Sequence, residues 1–183
     1  NHTSYAFSKY KAELEVWRGS QEGLDMVIIN PGLILGAHFW HHSSVAIFQK
    51  QNNGLKYYAI GNTPIVALKD VVKSLILLMD SPIKNERFIL VAENLKQKFL
   101  FDKIAIEMNK KKPTFPLSKG ILYALFVIDK TLNFLGLRKS YMSLSLIDSL
   151  CNDQEYDGSK ILSKVNFTYS KTDEVISQIV KTY

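Results

Sequence analysis

Tyr5-Ala6-Phe7-Ser8-Lys9-Tyr10-Lys11-Ala12-Glu13, followed by Asp25-Met26-Val27-Ile28-Ile29-Asn30-Pro31-Gly32, is the stretch on which the fold turns. From Tyr5 to Glu22 the chain carries alanine, glutamate and lysine and no proline, and Gly19 and Gly23 mark where a helix frays and stops. The second part is a short unbroken apolar run, the pattern of a parallel strand covered on both faces, and Pro31 and Gly32 end it. Helix followed by buried strand places both in an α/β, doubly wound parallel sheet, where ligands gather beyond the carboxyl ends of the strands. The Asn30–Gly36 loop lies at that edge. Residues four apart share a helix face, so the Tyr5 phenol and the Lys9 ammonium can point into one cleft. A fixed cation favours the phenolate, which equips the phenol to take up and return a proton.

Outward from this stretch, 37–47 is rich in aromatics and histidine, and 48–56 reads as a helix tail running into a turn at Asn52-Asn53-Gly54. Tyr57–Ile60 is a short strand, Gly61–Pro64 a turn, and Ile65–Leu68 a strand. Asp70 is an N-cap for a helix over Val71–Met79, which Ser81-Pro82 closes. Glu86–Val91 is strand-like and Leu100–Asn109 helical. Lys112–Pro116 is a stiff extended link, because proline fixes its own backbone and restricts the residue before it. Two helical stretches follow, Ile121–Leu135 and Leu144–Leu150, and a last helix starts near Thr172 or Asp173 with Val175, Ile176, Ile179 and Val180 as its apolar stripe.

The order of motifs resembles the second half of an extended short-chain dehydrogenase/reductase, the family of nucleotide-sugar epimerases/dehydratases, dihydroflavonol-type reductases and 3β-hydroxysteroid dehydrogenases. Tyr5-x-x-Ser8-Lys9-x-x-Ala12-Glu13 is similar to its catalytic helix and Asn30-Pro31-Gly32-Leu33-Ile34-Leu35-Gly36 to its post-strand loop. Val66–Val72 resembles its valine-x-valine-x-aspartate-valine-alanine segment. Tyr156-Asp157-Gly158-Ser159-Lys160 resembles the place where a serine-lysine pair opens one of the last helices. Tyr156 and Lys160 also repeat the spacing of Tyr5 and Lys9, but Asp157-Gly158 favours a turn between them and no strand with a Pro-Gly loop follows.

The resemblance implies a Rossmann-type fold with a mostly helical substrate-binding lobe, divided here into 1–36, the end of the dinucleotide-binding domain, and 37–183, mainly the substrate lobe with strands returning to the Rossmann sheet. It implies an NAD(P)-dependent oxidoreductase or epimerase acting on a secondary alcohol or ketone of a small molecule, nearest the dihydroflavonol-reductase-like branch. Tyr5 would be the general acid or base and Lys9 would hold the nicotinamide ribose. Pro31, Gly32, Leu33 and Ile34 would pass beside the nicotinamide of NAD or NADP. The loop can equally be a simple strand terminator. No Gly-x-Gly-x-x-Gly or Gly-x-x-Gly-x-x-Gly turn follows a strand, and an upstream catalytic Ser or Thr is not assigned, so the chain reads as a fragment that is inactive alone. Alternatives are a nucleotide-sugar epimerase/dehydratase, which needs polar and basic groups where this lobe has Phe115, Tyr123, Phe126, Phe134 and Tyr141, and a non-catalytic binding or regulatory domain. Full-length relatives often dimerise through the tyrosine helix, so a homodimer is expected only for a complete chain.

His38, Phe39, Trp40, His41 and His42 do not suit a metal site, because no Cys, Asp or Glu nearby completes a ligand set, and they either line or lid a substrate pocket or form an irregular surface segment. The 183 residues are 46% hydrophobic, as in ordinary folded proteins, and the formal net charge is +6. Lys110-Lys111-Lys112 is its one compact run and reads as a solvated helix end rather than a contact for nucleic acid or anionic lipid. Cys151 stands alone, which fits a reducing, cytoplasmic setting. The apolar run Ile121–Ile128 is broken by Asp129 and Lys130, short of the roughly 20 residues of a membrane span. The spacing of Leu122, Leu125, Phe126, Leu132 and Leu135 favours a packed helix over an interfacial anchor.

Overall fold

The computed structural model describes residues 4–37, 46–140 and 142–182. The order is α1 (Ser4–Gln21), β1 (Val27–Pro31), β2 (Leu33–Leu35), α2 (Ala46–Asn52), β3 (Tyr57–Ala59), β4 (Asn62–Ala67), α3 (Leu68–Met79), β5 (Glu86–Leu90), β6 (Glu93–Lys96), α4 (Gln97–Glu107), β7 (Phe115–Leu117), α5 (Lys119–Phe134), α6 (Leu144–Leu150), a 3-10 turn (Ser159–Ser163) and α7 (Thr172–Thr182). β1 pairs parallel with β5, β2 parallel with β4, and β3 parallel with β7, while β6 runs antiparallel to β4. The mixed α/β architecture with parallel pairing is the one the helix-strand order predicts.

Side-chain alternation along β1 and β5 shows how they are covered. Val27, Ile29, Phe88 and Leu90 turn into a core with Val71 and Leu78 of α3, Ile161 and Phe167. Asn30 and Arg87 turn the other way and meet Glu13 of α1. Helices α1 and α3 therefore lie on opposite faces of this pair, the doubly wound arrangement. β4 separates two cores in the same manner. Val66 joins the one just described, whereas Ile65 and Ala67 face Leu35, Phe48, Leu100, Ile104, Val175 and Ile179. Among the described residues β1 has a strand on one edge only. Helix α1 exposes Tyr5, Phe7, Tyr10 and Leu14, and α3 exposes Val72, Leu75, Ile76 and Met79.

Several local expectations are corrected. Leu33–Leu35, read as loop, is β2, and Gly61–Pro64 is not a turn, since β4 already runs from Asn62. Pro64 is tolerated because the β2 ladder begins one residue later, at Leu33 opposite Ile65. The Lys112–Pro116 link ends as β7, paired on β3. The Ser159-Lys160 pair opens a 3-10 turn rather than an α-helix. Helix α5 packs along one side only: Leu122 and Asp129 are buried and Phe126 and Leu132 half-buried, whereas Leu125 and Leu135 of the same stripe are exposed.

Asp70 is no N-cap. Helix α3 starts at Leu68 behind Ala67, which makes no side-chain cap bond. Asp70 instead is 3% exposed and accepts from the backbone N–H and hydroxyl of Ser170, at 2.8 and 2.7 Å. It ties α3 to the segment entering α7. Asp70→Ala leaves Ser170 unpaired and is expected to cost about 2 kcal/mol in urea unfolding. A change under about 0.5 kcal/mol would show that water replaces the carboxylate there.

Candidate functional site

Tyr5, Lys9, Glu13 and Trp17 stand at intervals of four on α1 and form one stripe along it. Glu13 anchors the stripe. Its carboxylate accepts from the Asn30 amide at 3.1 Å and from the Arg87 guanidinium at 2.9 Å, with the Trp17 indole N–H at 3.3 Å. Asn30 is next to last in β1, so Glu13 marks the level of the strand's carboxyl end. Because α1 runs back against β1, Lys9 lies roughly 6 Å and Tyr5 roughly 12 Å further out along the helix, at 1.5 Å per residue. By this reckoning both lie beyond the carboxyl end of the β1–β5 pair, the side on which doubly wound folds hold ligands.

The Lys9 ammonium is 5.7 Å from the centroid of the Tyr5 ring, over its face. The two side chains thus share a face as the spacing predicts. The contact is exposed and worth about 0.5 kcal/mol, too weak to fold the helix, and Tyr5 is 71% exposed. What fixes α1 is Glu13. Burial raises its carboxyl pKa, but the hydrogen bonds from Arg87, Asn30 and Trp17 and the Arg87 charge outweigh burial and hold it below the ordinary glutamate range. A depressed pKa adds stability above the unfolded value, and that contribution is lost as pH falls through the folded value. Acidification should therefore release α1 from β1 before the cores open. Trp17 emission in a Trp40→Phe background reads this directly. A Trp17 transition that coincides with global unfolding and is unmoved by Glu13→Gln would contradict it.

Pro31 ends β1, and Gly32 donates its N–H to the Leu90 carbonyl at 3.0 Å. A Cβ on Gly32 would come within 2.6 Å of the Pro64 carbonyl oxygen, so β2 can cross β4 there only without a side chain. Leu33 packs against the Ile65 core and Ile34 against the Phe88 core. The loop thus has a structural reason for its sequence, and the Gly32 amide is already bonded. His38, Phe39, Trp40 and His41 lie outside the described residues. Among the described residues no group of three or more His, Cys, Asp or Glu is placed to hold a metal ion.

Glu13 and Arg87 were not singled out as site residues, although Glu13 could have been found as the next step of the Tyr5, Lys9 stripe. An apolar cleft of about 740 Å³ lies between α3 and α7, walled by Leu35, Ala67, Val72, Ile76, Val175 and Ile179. No residue of α1 lines it, so it is not part of the Tyr5, Lys9 arrangement. Tyr156 and Lys160 are held apart from any such arrangement. The Lys160 ammonium donates to the Arg87 carbonyl at 2.8 Å and pairs with Glu86 at 2.9 Å.

Known proteins place this geometry in a fold. No family model matches the chain. It is similar to the nucleoside-diphosphate-sugar epimerase of Pseudomonas aeruginosa over its whole length, with a TM-score of 0.81 at 21% identity, covering 55% of that protein. It is also similar to the UDP-glucose 4-epimerase of Thermotoga maritima solved with UDP-glucose, with a TM-score of 0.68 at 14% identity over 97% of this chain and 52% of that one. WbmH of Bordetella bronchiseptica, solved with NAD+, gives 0.66 at 15% identity over 98% and 51%. The fold is that of the C-terminal portion of Rossmann-type epimerases and short-chain dehydrogenases. The chain spans about half the length of these solved structures. In sequence it is 30% identical to sterol demethylase protein B of Methylococcus capsulatus over 94 residues, half of this chain and 29% of that protein. No helix among the described residues is long and apolar enough to cross a membrane.

Proposed function

We propose that this chain is the catalytic-helix and substrate-side half of an NAD(P)-dependent oxidoreductase of the extended short-chain dehydrogenase/reductase family, acting on a secondary alcohol or ketone of an apolar small molecule. The observation that carries the reading is the Tyr5, Lys9 stripe held by Glu13 beyond the carboxyl end of β1. The likeness in fold to proteins solved with NAD+ supports the cofactor class, and the likeness to sterol demethylase protein B supports an apolar substrate. The division into a Rossmann part to Gly36 and a substrate lobe beyond it belongs to the same proposal.

The residues present suit the nicotinamide end of such a cofactor and not its pyrophosphate. Tyr5 and Lys9 offer an exposed phenol and cation, whereas no glycine-rich turn follows a strand in these residues. The bound nicotinamide would supply or accept the hydride. Tyr5 would give its hydroxyl proton to the carbonyl oxygen in reduction and recover it in oxidation. Lys9 would hold the ribose and oppose the negative charge left on the phenol oxygen. Glu13 would fix the pitch of α1 against β1 and so aim both groups. By itself the chain would bind dinucleotide weakly and turn nothing over.

The test uses the protein translated from the whole reading frame that holds this chain. Oxidation of NADH and NADPH is followed with a panel of sterol and other apolar ketones, and interconversion of UDP-sugars is followed beside it. Turnover of an apolar ketone is expected. Turnover of UDP-sugars alone would assign the nucleotide-sugar epimerase reading, which the likeness to the epimerase structures favours. Absence of both, with no dinucleotide binding, would leave a non-catalytic domain.

A further inference from the structure

Residues 110–147 contain seven lysines and arginines and one carboxylate, Asp129, while the rest of the chain holds sixteen basic and sixteen acidic residues. Asp148, the next residue on α6, pairs with Lys119 at 3.0 Å and Asp129 pairs with Arg138, so the charge left over comes from Lys110, Lys111, Lys112, Lys130 and Lys139. That stretch builds β7, α5 and most of α6. Ile121, Leu125, Ile128 and Leu135 recur at helical spacing, and all four are exposed. An aliphatic stripe of this kind in water marks an interaction surface.

The end of α5 is shaped rather than frayed. Gly136 takes φ 71°, its N–H donates to Asn133 and the Leu137 N–H donates to Leu132, both at 3.0 Å, which is a Schellman turn. Asp129, buried, then gathers the Arg138 guanidinium, the Ser140 hydroxyl and the Met142 N–H, so the turn is tied back to the helix. The result is a braced tip on which Phe134 is 88% and Leu137 69% exposed, beside Arg138 and Lys139.

We propose that α5 and this tip dock on an anionic lipid bilayer, with Phe134, Leu135 and Leu137 entering the headgroup boundary and the basic residues meeting lipid phosphates. Helix α5, at 16 residues, is roughly 24 Å long and lies on the surface rather than spanning it. Two features select this occupant. A second copy would bring two stretches of like charge face to face, and a polynucleotide would meet the charge but leave the aliphatic stripe in water. The inference is independent of the Tyr5, Lys9 reading.

The test is cosedimentation of the protein translated from the whole reading frame that holds this chain with vesicles of phosphatidylcholine alone and with about one third phosphatidylserine. Binding is expected on the anionic vesicles, weaker on the neutral ones, and weakened by salt. Phe134→Glu with Leu137→Glu should lower the partition coefficient about tenfold or more, and so should Lys130→Glu with Lys139→Glu. Unchanged circular dichroism and melting confirm that these exposed substitutions leave the fold intact. The proposal is overturned by no binding to anionic vesicles, by binding that survives Phe134→Glu with Leu137→Glu, or by a chain dimer that the same substitutions dissolve. A duplex oligonucleotide bound in place of vesicles, with the apolar substitutions neutral, overturns it as well.

Discussion

Tyr5→Phe, made in the protein translated from the whole reading frame, should lower kcat by about 10²- to 10⁴-fold while leaving folding and dinucleotide affinity nearly unchanged. The separation is expected because the hydroxyl has no part in packing: Tyr5 is 71% exposed and α1 is held further along by Glu13. Lys9→Met should act differently. It removes the cation that would grip the ribose, so KM for the dinucleotide rises together with a fall in kcat. Tyr156→Phe is the control, since that phenol lies in an extended segment outside the stripe and should be silent. Equal effects of Tyr5→Phe and Tyr156→Phe would remove Tyr5 from the chemistry.

Phe88→Ala should cost about 3–5 kcal/mol, a large share of the 5–15 kcal/mol that holds a typical domain together. Phe88 is fully buried on β5, between α3 and the segment that carries Ile161 and Phe167. The Lys160 ammonium sits 4.6 Å from its ring centroid, so the deletion also strips a cation of its aromatic partner. The cavity cannot close easily, because β5 is fixed by β1 on one side and the 3-10 turn packs on the other. Urea unfolding followed by circular dichroism reads the loss. A cost below about 1 kcal/mol would mean that the Phe88 core is not the one described.

The parts of the fold legible in the sequence were those whose pattern is set locally. Helix α1, strand β1 and α7 each announce themselves by period and by flanking glycine, proline or acidic residues. The strands that were missed are formed by distant partners. β2 is three residues long and exists because Ile65–Ala67 lies alongside it, and β7 contains Pro116 and is a strand because β3 offers an edge. Asp70 had the position of a cap and the chemistry of a tether, and only Ser170, a hundred residues away, decides between them. The face shared by Tyr5 and Lys9 followed from spacing alone. Their place beyond the carboxyl end of β1 did not, because it depends on Glu13 meeting Asn30 and Arg87. Helix α5 was read correctly as packed at Leu122, Phe126 and Leu132, but its apolar periodicity did not tell that Leu125 and Leu135 stay uncovered.

The pair Tyr5 and Lys9 stands or falls with what meets the phenol ring. The decisive measurement labels tyrosine rings selectively in the protein from the whole reading frame, assigns Tyr5 by its loss in Tyr5→Phe, and adds NADH or NADPH. Magnetisation transfer between the Tyr5 ring and the nicotinamide protons is the expected result. A dinucleotide that binds with its nicotinamide away from Tyr5, or that does not bind, would contradict the proposed site.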